Sequence, residues 1–141
     1  MTTSIQPEPW VDHAGAAVLF YQAGLGATVM HRLGKGDDIV AQLSVGDGAF
    51  WVTAAATSMK RFSPNEIDGT TSRTLLVVED PERMMTHAVV AGATETSPVG
   101  DAGWRLGRTV DRSATSGRSA NLWRRGSHPE DPPAGPCFRR S

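Results

Sequence analysis

The rhythm of apolar and polar positions divides the chain into short elements. Ile5 to Val11 reads as a strand, but Pro7 and Pro9 each lack a backbone donor, which predicts a short or edge-placed one. Asp12 is then expected to cap a helix with Ala16, Ala17, Phe20 and Ala23 on one face. Gly24 and Gly26 are expected to end it, because glycine enters the left-handed cap conformation without strain. Thr28–Arg32 and Ile39–Val45 read as strands, separated by the polar loop Gly34-Lys35-Gly36-Asp37-Asp38. Val45-Gly46-Asp47-Gly48-Ala49 then predicts a tight hairpin turn into a further strand, Ala49–Thr53.

From Ala54 to Thr71 the chain is polar, with turn signals at Ser63-Pro64-Asn65 and Asp68-Gly69, as expected of a linker. A second series follows. Thr74–Val78 is a short apolar run rich in β-branched residues, and Asp80-Pro81-Glu82 is a strong helix start. Met84, Met85, Ala88 and Val89 give that helix its apolar face, and Gly92 closes it. Thr94–Pro98 and Trp104–Val110 read as two more strands.

The two series match. Val11-Asp12, a helix and Gly26-Ala27-Thr28 correspond to Glu79-Asp80, a helix and Gly92-Ala93-Thr94. The first half supplies one strand more, Ala49–Thr53, and its counterpart is due after Val110. Arg112 to Asn121 is instead small and polar, without period-2 alternation, and Pro132-Pro133-Ala134-Gly135-Pro136 has a composition typical of disorder. The expected fold class is therefore α+β: two βαβββ modules, at about residues 5–54 and 72–111, the second lacking its last strand. Residues 1–111 are expected to form the domain, and 112–141 a non-native, disordered tail.

Composition changes this picture little. The chain has 141 residues and a formal charge of −1. Residues 1–110 carry a net −4 and residues 111–141 a net +3. The tail's arginines are scattered and lack aromatic interleaving, which argues against nucleic acid. Cys137 is the single cysteine, so no internal disulfide forms. The first residues lack the basic start and apolar stretch of a signal peptide. The longest apolar run, Ala16 to Phe20, is too short to span a bilayer. A cytoplasmic protein with no membrane partner is expected.

The helix segment Val18-Leu19-Phe20-Tyr21-Gln22-Ala23-Gly24-Leu25-Gly26-Ala27 resembles a signature of the vicinal-oxygen-chelate superfamily, which covers glyoxalase I, bleomycin-resistance proteins and extradiol dioxygenases. Leu75 to Pro81, Ala91-Gly92-Ala93 and Trp104 to Asp111 resemble it too, so the likeness spans roughly residues 5–111. It implies paired βαβββ modules whose curled mixed sheets enclose a cavity. In this superfamily a proline usually follows the aspartate at the position of Asp111; here Arg112 stands there. Residues 111–123 can be encoded so that one added C after the Asp111 codon yields Asp-Pro-Phe-Gly-His-Glu-Trp-Glu-Ile-Gly-Lys-Pro-Leu, a typical family ending. A frameshift after Asp111 is the expectation.

The resemblance also implies where metal-dependent members would place four ligands: on the first and last strand of each half. The first position falls on Gln6, an acceptable oxygen ligand, with Glu8 two residues on. The second falls on Trp51, which cannot bind a cation this way. The third falls near Arg73, a permanent cation, and the fourth on the strand judged missing. No metal and no cofactor are expected. His13, His31, His87 and His128 have no ligand spacing, and Ser63, Ser72 and Thr53 have no neighbouring base pattern. The Gly34-Lys35-Gly36 loop is too short to cradle a phosphate.

What remains is a cavity. Alternation places Gln6, Glu8 and Trp10 on one face, Ala49, Trp51 and Thr53 on another, and Arg73 with Leu75 on a third. If these faces line it, the cavity offers two indoles, a carboxylate and a guanidinium, suited to an aromatic or amphipathic ligand with a polar group. Trp10 and Trp51 equally suit a core, and Glu8 and Arg73 an ion pair. The expected function is metal-free binding of a small molecule, resembling bleomycin-resistance proteins. The alternatives are a metal-dependent lyase, isomerase or dioxygenase, or a non-functional frameshifted product; whether any catalysis occurs is open. An uncovered strand edge predicts a homodimer.

Overall fold

The computed structural model describes residues 3–72, 74–101, 105–111 and 119–125. Its elements run β1 (Trp10–Val11), α1 (Ala14–Leu25), β2 (Thr28–Lys35), β3 (Asp38–Val45), β4 (Gly48–Ala54), β5 (Thr74–Val78), α2 (Pro81–Val90), β6 (Ala93–Asp101), β7 (Arg105–Asp111) and β8 (Ser119–Arg125). They form two four-stranded sheets, ordered β1-β4-β3-β2 and β5-β8-β7-β6. In each, the first strand runs parallel to the fourth and the other pairs are antiparallel. The α+β class and the βαβββ duplication therefore hold. Both modules even carry a register shift at the same place, between Val29 and His31 and between Glu95 and Ser97.

The second sheet differs from the expectation at one position. Between β5 and β7, where no strand was expected, Ser119–Arg125 pairs along both neighbours, from Thr74↔Asn121 to Val78↔Arg125 on one side and from Asp111↔Ser119 to Leu106↔Arg124 on the other. Seven residues of the expected tail are thus strand. The reason lies in the backbone: ladder hydrogen bonds join main chain to main chain, so an inner strand can form without clean alternation of side chains. Residues 112–118 and 126–141, where the rest of the expected tail falls, lie outside the described residues.

Prolines shorten β1 as expected. The segment follows β4, with the Trp51, Thr53 and Ala55 amides donating to the carbonyls of Pro7, Pro9 and Val11 at 2.8, 3.2 and 2.8 Å. In a parallel ladder one residue's carbonyl and amide face the same neighbour. Pro7 and Pro9 therefore accept but have no N–H to return, and regular pairing is confined to Trp10 and Val11.

Two helix details correct the sequence reading. The N-cap of α1 is His13, with no side-chain cap, because the Asp12 carboxylate instead accepts a bond from Asn65 Nδ2 in the linker at 3.0 Å. Gly24 does not end the helix; it lies buried inside it. A Cβ there would come within 3.2 Å of both the Ala91 Cβ and the Phe20 ring, and within 3.4 Å of the Ala88 Cα, so glycine lets α1 approach α2 closely. Gly26, at φ 66°, is the true stop.

Helix α2 follows its signals. Asp80 Oδ1 accepts from the Arg83 amide at 3.0 Å, Pro81 opens the helix and Glu82 sits in its first turn. Replacing Asp80 by alanine is expected to cost about 1 kcal/mol, read as a lower urea midpoint with an unchanged slope.

One core joins the modules. Ile39, Ala41 and Leu43 alternate inward from β3 and, with Val52, meet Ala17, Val18, Phe20 and Tyr21 of α1, while Met85 and Ala88 enter from α2. Tyr21 sits edge-on to Phe20 (centroids 5.5 Å apart) and to Phe50 (5.0 Å). The Phe20-Tyr21 pair of the signature is thus core, not chemistry.

Candidate functional site

The face of the first sheet opposite this core carries the polar residues, since a strand sends successive side chains to opposite faces. Gln6 is at its centre. Its Oε1 accepts from Trp51 Nε1 at 2.8 Å and from Gln42 Nε2 at 2.9 Å, while its Nε2 donates to Ser4 Oγ at 3.0 Å. Next to it, buried Thr53 donates through Oγ1 to Glu8 Oε1 at 2.8 Å. Four of the residues expected at the site are therefore brought together as two bonded pairs, Gln6 with Trp51 and Glu8 with Thr53. Arg73 lies outside the described residues. Glu8 has no salt bridge among the described residues; the pair found there is His13 with Asp37, at 3.2 Å.

Trp10 borders an adjoining, half-open cavity of about 230 Å³, which Phe62, Pro64 and Ile67 of the linker also line and Glu8 reaches. The linker's fold is local. Ser63, fully buried, donates its amide to Glu66 Oε2 at 2.9 Å, and the Glu66 amide returns to Ser63 Oγ at 3.4 Å. This reciprocal cap holds the bend that sets Phe62 and Ile67 opposite β1.

Two residues on this face escaped the sequence reading. Gln42 is an amide set in the apolar run Ile39–Val45, and that contrast was the available signal. His31 carries no such signal: the bulge in β2 puts it opposite Gln42, and directly paired residues share a face.

Among the described residues, the donor set does not fit the metal centre that the resemblance implies. A carbonyl oxygen has two lone pairs, and both on Gln6 are engaged by protein donors. The indole of Trp51 offers only an N–H. Among the described residues no three His, Cys, Asp or Glu side chains stand where they could hold an ion together. What the arrangement does offer is a fixed indole, an exposed carboxylate and an imidazole on one open surface. Among the described residues, no helix is long and apolar enough to cross a membrane.

No protein-family model and no curated protein sequence matches the chain. Solved structures do. A gene product from Arabidopsis thaliana is 24% identical with a TM-score of 0.65, covering 90% of this chain and 100% of that one. A bleomycin-binding protein complexed with bleomycin is 16% identical (TM-score 0.62, 89% and 100% covered). A fosfomycin resistance protein from Listeria monocytogenes, complexed with Mn(II) and 1S,2S-dihydroxypropylphosphonic acid, is 11% identical (TM-score 0.63, 90% and 93% covered). The fold of this chain is therefore the one shared by these bleomycin-binding, fosfomycin-resistance and glyoxalase-related proteins.

Proposed function

We propose that this chain is a glyoxalase/bleomycin-resistance-like protein that binds a small aromatic or amphipathic molecule on the polar face of its first sheet, without a metal ion. The observation that carries this reading is the double hydrogen bond to Gln6 Oε1. It orients the Trp51 indole and at the same time saturates the oxygen a metal would need. A positioned aromatic wall with a few aimed polar atoms is the usual makeup of a small-molecule site.

Thermal melts test it, with bleomycin and a panel of planar aromatic acids and amines as one arm and nickel, zinc or manganese as the other. A ligand at a hundred times its dissociation constant stabilises the folded state by about 2.7 kcal/mol. At least one organic probe is expected to raise the midpoint, and the metals to leave it unchanged. A shift with metal favours the lyase, isomerase or dioxygenase alternative. A cooperative melt indifferent to every organic probe sinks the binding reading.

The same proposal includes a homodimer. With β8 in place, the outer strands are β1 and β2 in one sheet and β5 and β6 in the other, and Leu75 and Val77 on β5 are 48% and 55% exposed. A second copy covering β5 would bury them. Light scattering at micromolar concentration is expected to give twice the chain mass, and Leu75→Asp the mass of a single chain; a wild-type monomer refutes the dimer. A cytoplasmic location and a reading frame shifted after Asp111 belong to the same reading. Sequencing the coding DNA tests the latter: a one-base indel near codon 112 should restore the family ending.

A further inference from the structure

Among the described residues, the Glu8 carboxylate has no cation within ion-pair distance. Glu8 is exposed and accepts one hydrogen bond, from Thr53. Its position is what matters. It reaches the cavity of about 230 Å³ lined by Trp10, Phe62 and Ile67 and, in about equal measure, by polar groups that include Thr70, Thr71, Ser72 and Thr74. Trp10, Phe62 and Ile67 are 36%, 43% and 48% exposed, and the aromatic ring contacts in the core, Phe20 with Tyr21 and Tyr21 with Phe50, involve neither Trp10 nor Phe62. Large apolar groups left open around one pocket, with a carboxylate at its edge, form a consistent set of contacts for one kind of guest.

We propose that this cavity binds an alkylammonium group, with Glu8 as its counter-ion and the faces of Trp10 and Phe62 as its walls. This deepens the reading of the polar face as a small-molecule site and rests on it. An aromatic face attracts a cation through its quadrupole, by an amount that grows as water is excluded. An anionic guest would meet the Glu8 carboxylate, and a neutral one would leave that charge without a partner. Size narrows the class further. The cavity is smaller than the roughly 300–1,000 Å³ of sites for drug-sized ligands, so it suits a headgroup such as trimethylammonium rather than a whole large ligand. The remainder of a longer ligand would extend along the sheet toward Trp51.

The indole N–H resonances of the four tryptophans, assigned by Trp→Phe variants, separate the two sites. Trp10 reports the cavity and Trp51 the Gln6 network. Choline and benzyltrimethylammonium are titrated against their uncharged counterpart 3,3-dimethylbutanol and against benzoate. The cations are expected to shift the Trp10 signal and to bind about tenfold more tightly than the alcohol. Glu8→Gln should remove most of that preference while the uncharged probe binds as before. Trp10→Ala should abolish binding of the cations, with far-ultraviolet circular dichroism unchanged to show that the fold is intact. Equal binding of choline and the alcohol, or a preference for benzoate, overturns the proposal. If the organic probes of the thermal screen shift Trp51 while no cation shifts Trp10, the alkylammonium site fails and the small-molecule reading survives. If no probe shifts either, both fail.

Discussion

Phe20→Ala is expected to remove about 3–5 kcal/mol of stability, the usual cost of emptying a buried phenylalanine site. The ring is 3% exposed and stands edge-on to Tyr21. Its tip lies beside Gly24, at the point where α1 meets Ala88 and Ala91 of the second module. The cavity would open at the seam between the modules, where each helix holds the other in place and collapse is hardest. Natural domains are stable by only roughly 5–15 kcal/mol, so the variant would lose a large fraction of the total. Urea denaturation followed by circular dichroism measures it. Leu19→Ala, on the exposed side of the same helix at 66%, is the control and should change stability by no more than about 0.5 kcal/mol. Equal effects for the two would mean that α1 does not pack through this face.

The second large effect is expected at Gln6. Alanine there deprives two donors, Trp51 Nε1 and Gln42 Nε2, of their acceptor in a partly buried setting. Each half-buried donor left unpaired costs about 1–3 kcal/mol where water cannot reach it, so a total near 2 kcal/mol is expected from denaturant unfolding. The more telling readout is the Trp51 indole N–H resonance, which should move toward its free position. Any organic probe found by thermal melts should bind about tenfold more weakly, since an indole no longer held in place must be ordered at binding. Gln6→Glu keeps an acceptor oxygen and should retain most of the stability. If Gln6→Ala leaves the Trp51 signal unmoved, the network does not orient the indole.

Much of the architecture was legible because its signals are local. Asp80, Pro81 and Glu82 are neighbours in the chain, and each acts on the first turn of α2 by its own chemistry. The hairpin at Gly46-Asp47 is equally self-contained, with Gly46 at φ 55°. What escaped depends on partners far along the chain. Asp12 looks like a cap until Asn65, 53 residues away, takes its carboxylate. Gly24 looks like a stop until α2 is known to pack on it. Strand β8 has no alternation to announce it, and its place follows from the ladders of β5 and β7 on either side. The site follows the same division. Gln6, Glu8, Trp51 and Thr53 could be placed by period-2 alternation alone. Their pairing, and the arrival of Gln42 and His31, required the cross-strand register and its bulge.

The prolines at the entrance of the first sheet have a consequence for how the molecule responds to a ligand. The arm bearing Gln6 and Glu8 is fastened to β4 through carbonyls at Pro7 and Pro9 that receive hydrogen bonds and amide positions that cannot give them. Such an arm detaches at a lower free energy than the sheet unfolds, as weakly laddered edges do. Part of the proposed binding face, Gln6 and Glu8, thus rides on a weakly laddered edge. A guest that grips Gln6 or Glu8 acts as a latch, and part of its binding energy goes into keeping the arm docked before any remains to raise the stability of the whole.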